Sequence, residues 1–124
     1  MPSIVVHGGA GHEMDPQDRD GRRAGLRRAA DAGWCVLAGG GSALDAAVAA
    51  TVVLEDDPLF NAGRGSVLTD SGTVEMDASL MDGATLAAGA VAAVSRDWGT
   101  SDGTRLGRTV EFSALNIPTS AVSP

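Results

Sequence analysis

The chain opens on an unbroken apolar, β-branched run. Ser3 to His7 (Ser-Ile-Val-Val-His) stops at Gly8-Gly9, which predicts a short buried strand followed by the loop Gly8-Gly9-Ala10-Gly11. The stretch to Asp15 is polar. Asp15-Pro16 reads as a helix start, with the aspartate capping and the proline at the first helical position. From about Gln17 to Ala38 the pattern turns helical. Leu26, Ala29, Ala30, Gly33 and Leu37 share one face, and arginines occupy much of the rest. Gly39-Gly40-Gly41 ends this helix, because glycine tolerates the left-handed conformation of a helix stop. Ser42 caps a second helix, Ala43 to about Leu54, with Asp45 near its positive end. Only Asp45 and Thr51 interrupt its apolar circumference, so it is expected to be buried on most sides, as in a layered structure.

Glu55-Asp56-Asp57-Pro58 follows as an acidic turn, and Leu59 to Ser66 as a glycine-containing loop. Strand signals return at Ser66 to Thr69. Asp70-Ser71-Gly72 reads as a hairpin turn into Thr73 to Met76. A short strand is expected at Ala78 to Met81 and, beyond the turn Asp82-Gly83, a buried strand at Leu86 to Val94, apolar with Gly89 inside it. Ser95 to Pro124 is polar and glycine-rich without steady periodicity. Val110, Phe112 and Ala114 alternate there as one candidate strand. The expected division is thus an ordered region 1–94 and a divergent, irregular tail 95–124.

Composition narrows the function classes. The 124 residues fit one small domain or part of a larger one. Apolar content of 44% argues against disorder, and an aromatic content of 3% argues against an aromatic-lined groove. The net charge of -7 repels phosphate backbones, so no nucleic-acid partner is expected. The arginine cluster Arg19, Arg22, Arg23, Arg27, Arg28 reads as the solvated face of the first helix. Cys35 stands alone in an apolar run, so no internal disulfide forms, and it reads as a buried structural thiol. Neither a signal peptide nor a membrane-spanning run is visible, which gives a cytoplasmic setting as the default.

Three segments could carry chemistry. Gly8-Gly9 at a strand end exposes backbone N–H groups that can hold an anion, with a tight structural turn as the alternative. Neither a Gly-x-Ser-x-Gly elbow nor a Gly-Lys-Ser/Thr ending accompanies it. Leu54 to Ser66 contains Asn61-Ala62-Gly63-Arg64-Gly65. Glycines there let carbonyl oxygens converge on a hard cation, and the Asn61 amide both donates and accepts; an ordinary helix-to-strand loop is the alternative. Asp77 and Asp82 are separated by an odd count and would face opposite sides of a strand, so structural hydrogen bonding is expected of them rather than paired acid–base work. His12 lies in a polar loop with no serine or cysteine partner and reads as solvent-exposed.

Taken in order, several segments resemble the plant-type L-asparaginase / isoaspartyl peptidase family of N-terminal-nucleophile hydrolases, specifically its α-subunit portion. They are Val5 to Gly11, Gly41 to Ala46, Leu54 to Leu68, Val74 to Gly83 and Ala88 to Val91. The Asn-Ala-Gly loop joined to Met76-Asp77-Ala78 is the most specific part. The resemblance implies an α+β fold forming part of a four-layer αββα sandwich. It also implies a precursor that cuts itself into α and β subunits and assembles as a dimer of αβ units. The cut frees a threonine at the start of the β subunit. Its hydroxyl attacks the asparagine side-chain amide or an isoaspartyl bond, its own amine serves as base, and water releases aspartate. Asn61 matches the family asparagine near the active site, and Gly8 and Gly9 match the loop beside the nucleophile. The backbone carbonyls of Leu54, Glu55, Asp57, Phe60, Ala62 and Arg64 match the family's sodium-holding loop. No organic cofactor is implied.

The departure concerns catalysis. The family nucleophile opens a glycine-flanked Thr-Val-Gly segment, a context that neither Thr104 nor Thr109 has. No catalytic residue is therefore expected in this chain, and the chain is expected to be inactive without a β subunit. A truncated or frameshifted product, a divergent α-only protein and a separately encoded β partner are three explanations. Two further readings are a non-enzymatic cation- or small-molecule-binding domain and a fragment of a glycosylasparaginase-like amidase.

Overall fold

Two long helices packed on one another, followed by a loop and an antiparallel hairpin, make up the chain in a computed structural model that describes residues 1–10 and 15–94. His12, Gly11 and the candidate strand around Phe112 lie outside the described residues. Helices with a small antiparallel sheet bear out the α+β class.

The first helix begins as the sequence indicates. Asp15 accepts from the Gln17 N–H at 2.9 Å, and Pro16–Asp18 forms one 3-10 turn that runs into α1, Arg19–Ala38. At its far end the Gly41 N–H donates to the Val36 carbonyl at 2.9 Å and the Gly40 N–H to Leu37 at 3.1 Å, with Gly40 at φ 82°. This is the left-handed stop that only glycine adopts without cost. The second helix, α2, covers Ala43–Asp56. The Ser42 hydroxyl accepts from the Asp45 N–H at 3.0 Å and donates to the Asp45 carboxylate at 2.6 Å. The helix runs two residues past the expected Leu54. It stops at Asp57 because Pro58 pushes the residue before it out of the helical region, to ψ 115°.

Helix α1 meets α2 through small residues. Gly25, Ala29 and Gly33 recur every fourth position and so form one stripe. Ala29, Ala46, Ala50 and Phe60 are the buried apolar side chains. The expected face was right at Ala29 and Gly33, but its centre is Gly25 rather than Leu26, which flanks the contact and is half-buried. Cys35 corrects an expectation. It is exposed, because two residues past Gly33 a helix has turned through more than half a revolution, away from α2. The expectation that α2 is covered on most sides is also corrected. Only Ala46 and Ala50 are buried, since among the described residues α1 covers one face of it.

The strand expected at Ser3 to His7 has no hydrogen-bonded neighbour among the described residues, and a ladder needs one. Its burial still alternates. Ile4, Val6 and Gly8 are half-buried while Val5 and His7 are exposed, the signature of an extended segment laid with one side on the helices. The strands expected at 66–69 and 73–76 pair only around their turn. The Thr69 N–H donates to the Thr73 carbonyl at 2.8 Å, and Gly72 adopts φ 74°.

The hairpin proper is β1 (Met76–Met81) with β2 (Ala88–Val94). Met81 pairs with Ala88 and Ala78 with Val91, but Met76 pairs with Val94, so β2 carries an extra residue opposite Asp77. Ala93, at φ 52°, donates its N–H to the Asp77 carboxylate at 2.8 Å, which replaces the ladder bond lost at the bulge. The turn between the strands extends to Ala87, because Leu86 is held at φ 60° by its N–H bond to the Asp82 carbonyl. The second strand therefore starts at Ala88 rather than Leu86, and it is mostly exposed rather than buried, because among the described residues it pairs only with β1 and nothing covers its faces. No helix among the described residues is long and apolar enough to cross a membrane.

Candidate functional site

Asp57 organises the loop that follows α2. Its carboxylate, 9% exposed, accepts from Arg28 Nη2 at 2.7 Å and from the Leu59 N–H at 3.0 Å. One aspartate thus ties α1 to the loop and sets the turn after Pro58. The Arg28 side chain is 58% exposed, so the pair contributes less than a buried one. Its geometric role is larger, because Phe60 emerges three residues later at the helix interface.

Gly8, expected near the nucleophile, is brought against this loop. A Cβ on Gly8 would stand 2.6 Å from Phe60 Cε1 and 3.0 Å from Leu26 Cδ2. Gly9 adopts φ 105° and is exposed. Asn61 is exposed beside Phe60. Its Oδ1 accepts from the Val67 N–H at 2.9 Å, which orients the side chain and leaves its NH₂ group as the remaining donor. Asn61 lines an open cleft of about 200 Å³ together with Glu55, Ser66, Glu75 and Asp77. Gly8 and Gly9 lie outside that cleft, on the other side of Phe60.

Leu54, Glu55, Asp57, Phe60, Ala62 and Arg64 lie on one winding segment that ends in the 3-10 turn Gly63–Gly65. Two glycines let it wind tightly. Gly63, at φ 50°, lies against the Glu55 carbonyl, and Gly65 against the carbonyls of Phe60 and Pro58; a Cβ at either position would collide with backbone oxygen. The Asp57, Phe60 and Ala62 carbonyls each accept one N–H, from Phe60, Ala62 and Gly65 respectively, which leaves each a second lone pair. No group of three or more His, Cys, Asp or Glu side chains forms a metal cluster among the described residues.

A model of the asparaginase family matches residues 1–98. The chain belongs to the plant-type asparaginase family. An isoaspartyl peptidase/L-asparaginase of Bos taurus is 54% identical over 93 residues, covering 75% of this chain and 30% of that protein; the Homo sapiens protein of the same name gives the same figures. A plant-type L-asparaginase of Pyrococcus abyssi is 50% identical over 110 residues, covering 89% of this chain and 35% of that protein. The chain spans about a third of the length of the curated relatives it matches.

The remaining candidates of this asparaginase-family chain settle into structural roles. Asp77 bonds the bulge. Asp82 bonds its own turn, where the Ala84 N–H and then the Thr85 hydroxyl hold its carboxyl below its ordinary range. Both agree with the structural role expected of them. Sequence reasoning missed Gly25, Arg28 and Glu75. The four-residue spacing from Gly25 to Gly33 was a usable signal. Arg28 was hidden in an arginine cluster read as a solvated face, which holds at Arg19, Arg23 and Arg27 but not at Arg22, half-buried with its Nε enclosed, and nothing local marks Glu75 as cleft-lining.

Glu55 is the titratable group most affected by the cleft. Burial first, and the neighbouring Asp56 second, push its carboxyl above the ordinary value. Ionising it costs more in the folded chain than in the unfolded one. Stability is therefore highest while the group is protonated and falls as pH rises through the ordinary carboxylate value toward the raised one. Glu55→Gln is expected to raise the melting temperature at neutral pH and to leave it unchanged below the ordinary carboxylate range. Paired melts at the two conditions check this, and an equal effect at both would show that the charge is not the cause.

Proposed function

We propose that this chain is the N-terminal, α-subunit part of an L-asparaginase / isoaspartyl peptidase, and that it acts only with a β subunit supplying a threonine nucleophile. The observation that carries the reading is the packing of Gly8 against Phe60, the residue next to Asn61, in a chain matched to the family over residues 1–98. Asn61, its side-chain oxygen held by the Val67 N–H, would offer its NH₂ to a substrate carboxylate, and the Gly8–Gly9 turn, where the Gly9 N–H makes only a long bond to His7 Nδ1 at 3.4 Å, would offer backbone N–H groups to the nucleophile's side of the site. The threonine hydroxyl of the partner attacks the side-chain amide of asparagine or an isoaspartyl bond, and its own amine takes the proton. The carbonyls of Leu54, Glu55, Asp57, Phe60, Ala62 and Arg64 hold a structural sodium ion, which stiffens the loop bearing Asn61.

The threonine hydroxyls among the described residues agree with this division of labour. Thr51 donates to the Ala47 carbonyl at 2.9 Å, Thr69 and Thr73 bond each other at 2.8 Å, and Thr85 accepts from the Ala87 N–H at 3.3 Å. Every described threonine thus serves a local structural bond. In the complete αββα sandwich the helix pair forms an outer layer, the hairpin joins a sheet, and exposed Val5, Val67 and Leu68 gain cover. The assembly is a cytoplasmic dimer of αβ units. A second reading, a cation-binding domain without catalysis, is favoured by one feature: the carbonyl loop lies wholly within this chain.

Ammonia release from L-asparagine by the purified chain is expected to equal a buffer control, and release above that control overturns the division of labour. Co-expression with the threonine-bearing half of a relative is expected to give turnover. A complex without turnover, from a chain that still responds to sodium, favours the second reading.

A further inference from the structure

Phe60 touches both halves of the candidate site, and its ring occupies a slot made by two missing side chains. On one side lies Gly25 of α1, where a Cβ would stand 2.6 Å from Cε2 and 3.0 Å from Cζ. On the other lies Gly8, where a Cβ would stand 2.6 Å from Cε1. The ring is 3% exposed and is the largest side chain buried in the helix interface. Its backbone is fixed on both flanks. The Phe60 N–H donates to the Asp57 carbonyl at 3.2 Å, and its own carbonyl accepts from the Ala62 N–H at 2.8 Å. Asp57 is in turn anchored on α1 by Arg28. The residue after Phe60 is Asn61, held at its side chain by Val67.

We infer that Phe60 is a positioning residue whose ring sets the Gly8–Gly9 turn at a fixed place relative to Asn61. An aromatic ring is rigid in its own plane, so a shift of the Phe60 backbone is delivered to Gly8 instead of being absorbed by a rotamer change. The slot admits no Cβ on either side, which is why glycine stands at both positions. Movement of the carbonyl loop and movement of the Gly8–Gly9 turn are therefore one motion. The consequence for turnover rests on the asparaginase reading proposed above, whereas the coupling itself does not.

The test uses the full chain and no turnover, so its failure is separable from failure of the proposed activity. The Gly8 Hα protons, lying at the ring edge, are expected to resonate away from random-coil positions and to return to them in Phe60→Leu, which removes Cε1, Cε2 and Cζ. Gly8→Ala is expected to lower the folding equilibrium constant on the order of tenfold in the unaltered chain and by clearly less in Phe60→Leu, where the nearest obstructing atom, Cε1, is gone and only the flexible end of Leu26, 3.0 Å from the added Cβ, and a leucine methyl remain to be displaced. Gly8→Ala should also shift the Asn61 side-chain amide resonances while leaving the amides of Ala29 and Ala46 in place, which a general packing role would not do. Random-coil Gly8 protons in the unaltered chain, an equal cost of Gly8→Ala in both backgrounds, or an unmoved Asn61 amide would each overturn the assignment.

Discussion

Gly33→Val is expected to separate the two helices and to cost roughly 3 kcal/mol or more, at the upper end of overpacking. A Cβ at Gly33 would collide with Ile4 Cδ1, stand 2.8 Å from the Ala46 carbonyl oxygen and 3.4 Å from Ala50 Cβ. Ile4 can swing aside, but the Ala46 oxygen is backbone of α2 and moves only if the helix moves. Valine adds two further methyls into the same gap. The loss is severe because a domain has only about 5–15 kcal/mol of net stability to begin with, and a chain of this size sits toward the low end. Gly21→Ala is the matched control. Its Cβ would meet only Leu59 Cδ1, at 2.7 Å, the free end of a flexible side chain. Alanine also favours a helix interior by about 1 kcal/mol over glycine, so Gly21→Ala should be neutral or slightly stabilising. Denaturant midpoints by far-UV circular dichroism check both. A Gly33→Val chain as stable as Gly21→Ala would show that α1 and α2 do not pack as described.

The helices were legible in the sequence because their signals are local. Asp15-Pro16, the triple glycine at 39–41 and Ser42 each fix a boundary through a bond to a residue at most a few positions away. The two strands of the hairpin were legible as segments, but their pairing was not: the hairpin signal read at Asp70-Ser71-Gly72 gives only a turn, and the ladder forms across 82–87, where Leu86 takes a positive φ that no leucine advertises. What the sequence could not supply is cover. The run Ser3 to His7 and the circumference of α2 both read as buried, and both are half-open among the described residues. Hydrophobic pattern reports the surroundings a segment is suited to, and those surroundings need not come from the same stretch of chain. The two overestimates agree with one another. The open groove between Ser3–His7 and α2, lined by Ile4, Val6, Leu37 and Ala47 among others, is the apolar surface both patterns foretold.

The site was legible in part. The roles of Asn61 and the carbonyl segment came from the family resemblance, while the glycines alone marked Leu54 to Ser66 as a loop that could wind tightly; Gly63 and Gly65 do make close backbone approaches there. The tie from Arg28 to Asp57 spans 29 positions and leaves no trace in local pattern. The same is true of the Phe60 ring against Gly8, a contact across more than fifty residues between two segments that the sequence marks separately with nothing to join them.

Gly65→Ala is expected to abolish the cation response of the loop. The unaltered chain should melt higher in sodium than in tetramethylammonium at matched ionic strength, because a ligand that binds only the folded state stabilises it, by about 2.7 kcal/mol at a hundredfold excess over Kd. For a folded region of this size that corresponds to a midpoint shift on the order of 10 °C. A small hard ion fits neutral carbonyls that converge, and a large organic cation cannot approach them. In Gly65→Ala the new Cβ would collide with the Phe60 carbonyl oxygen and stand 2.6 Å from that of Pro58. Both obstacles are backbone, so no rotamer change relieves them, and the Phe60 carbonyl must turn out of the set. The variant should therefore melt lower than the unaltered chain in sodium and at the same temperature in either salt. Arg64→Ala separates this effect from charge. It keeps the Arg64 carbonyl and removes a basic side chain that is exposed, so its sodium response should survive. Equal midpoints for the unaltered chain in the two salts would remove the cation from the loop. A sodium response that persists in Gly65→Ala would place the ion away from the Phe60 carbonyl.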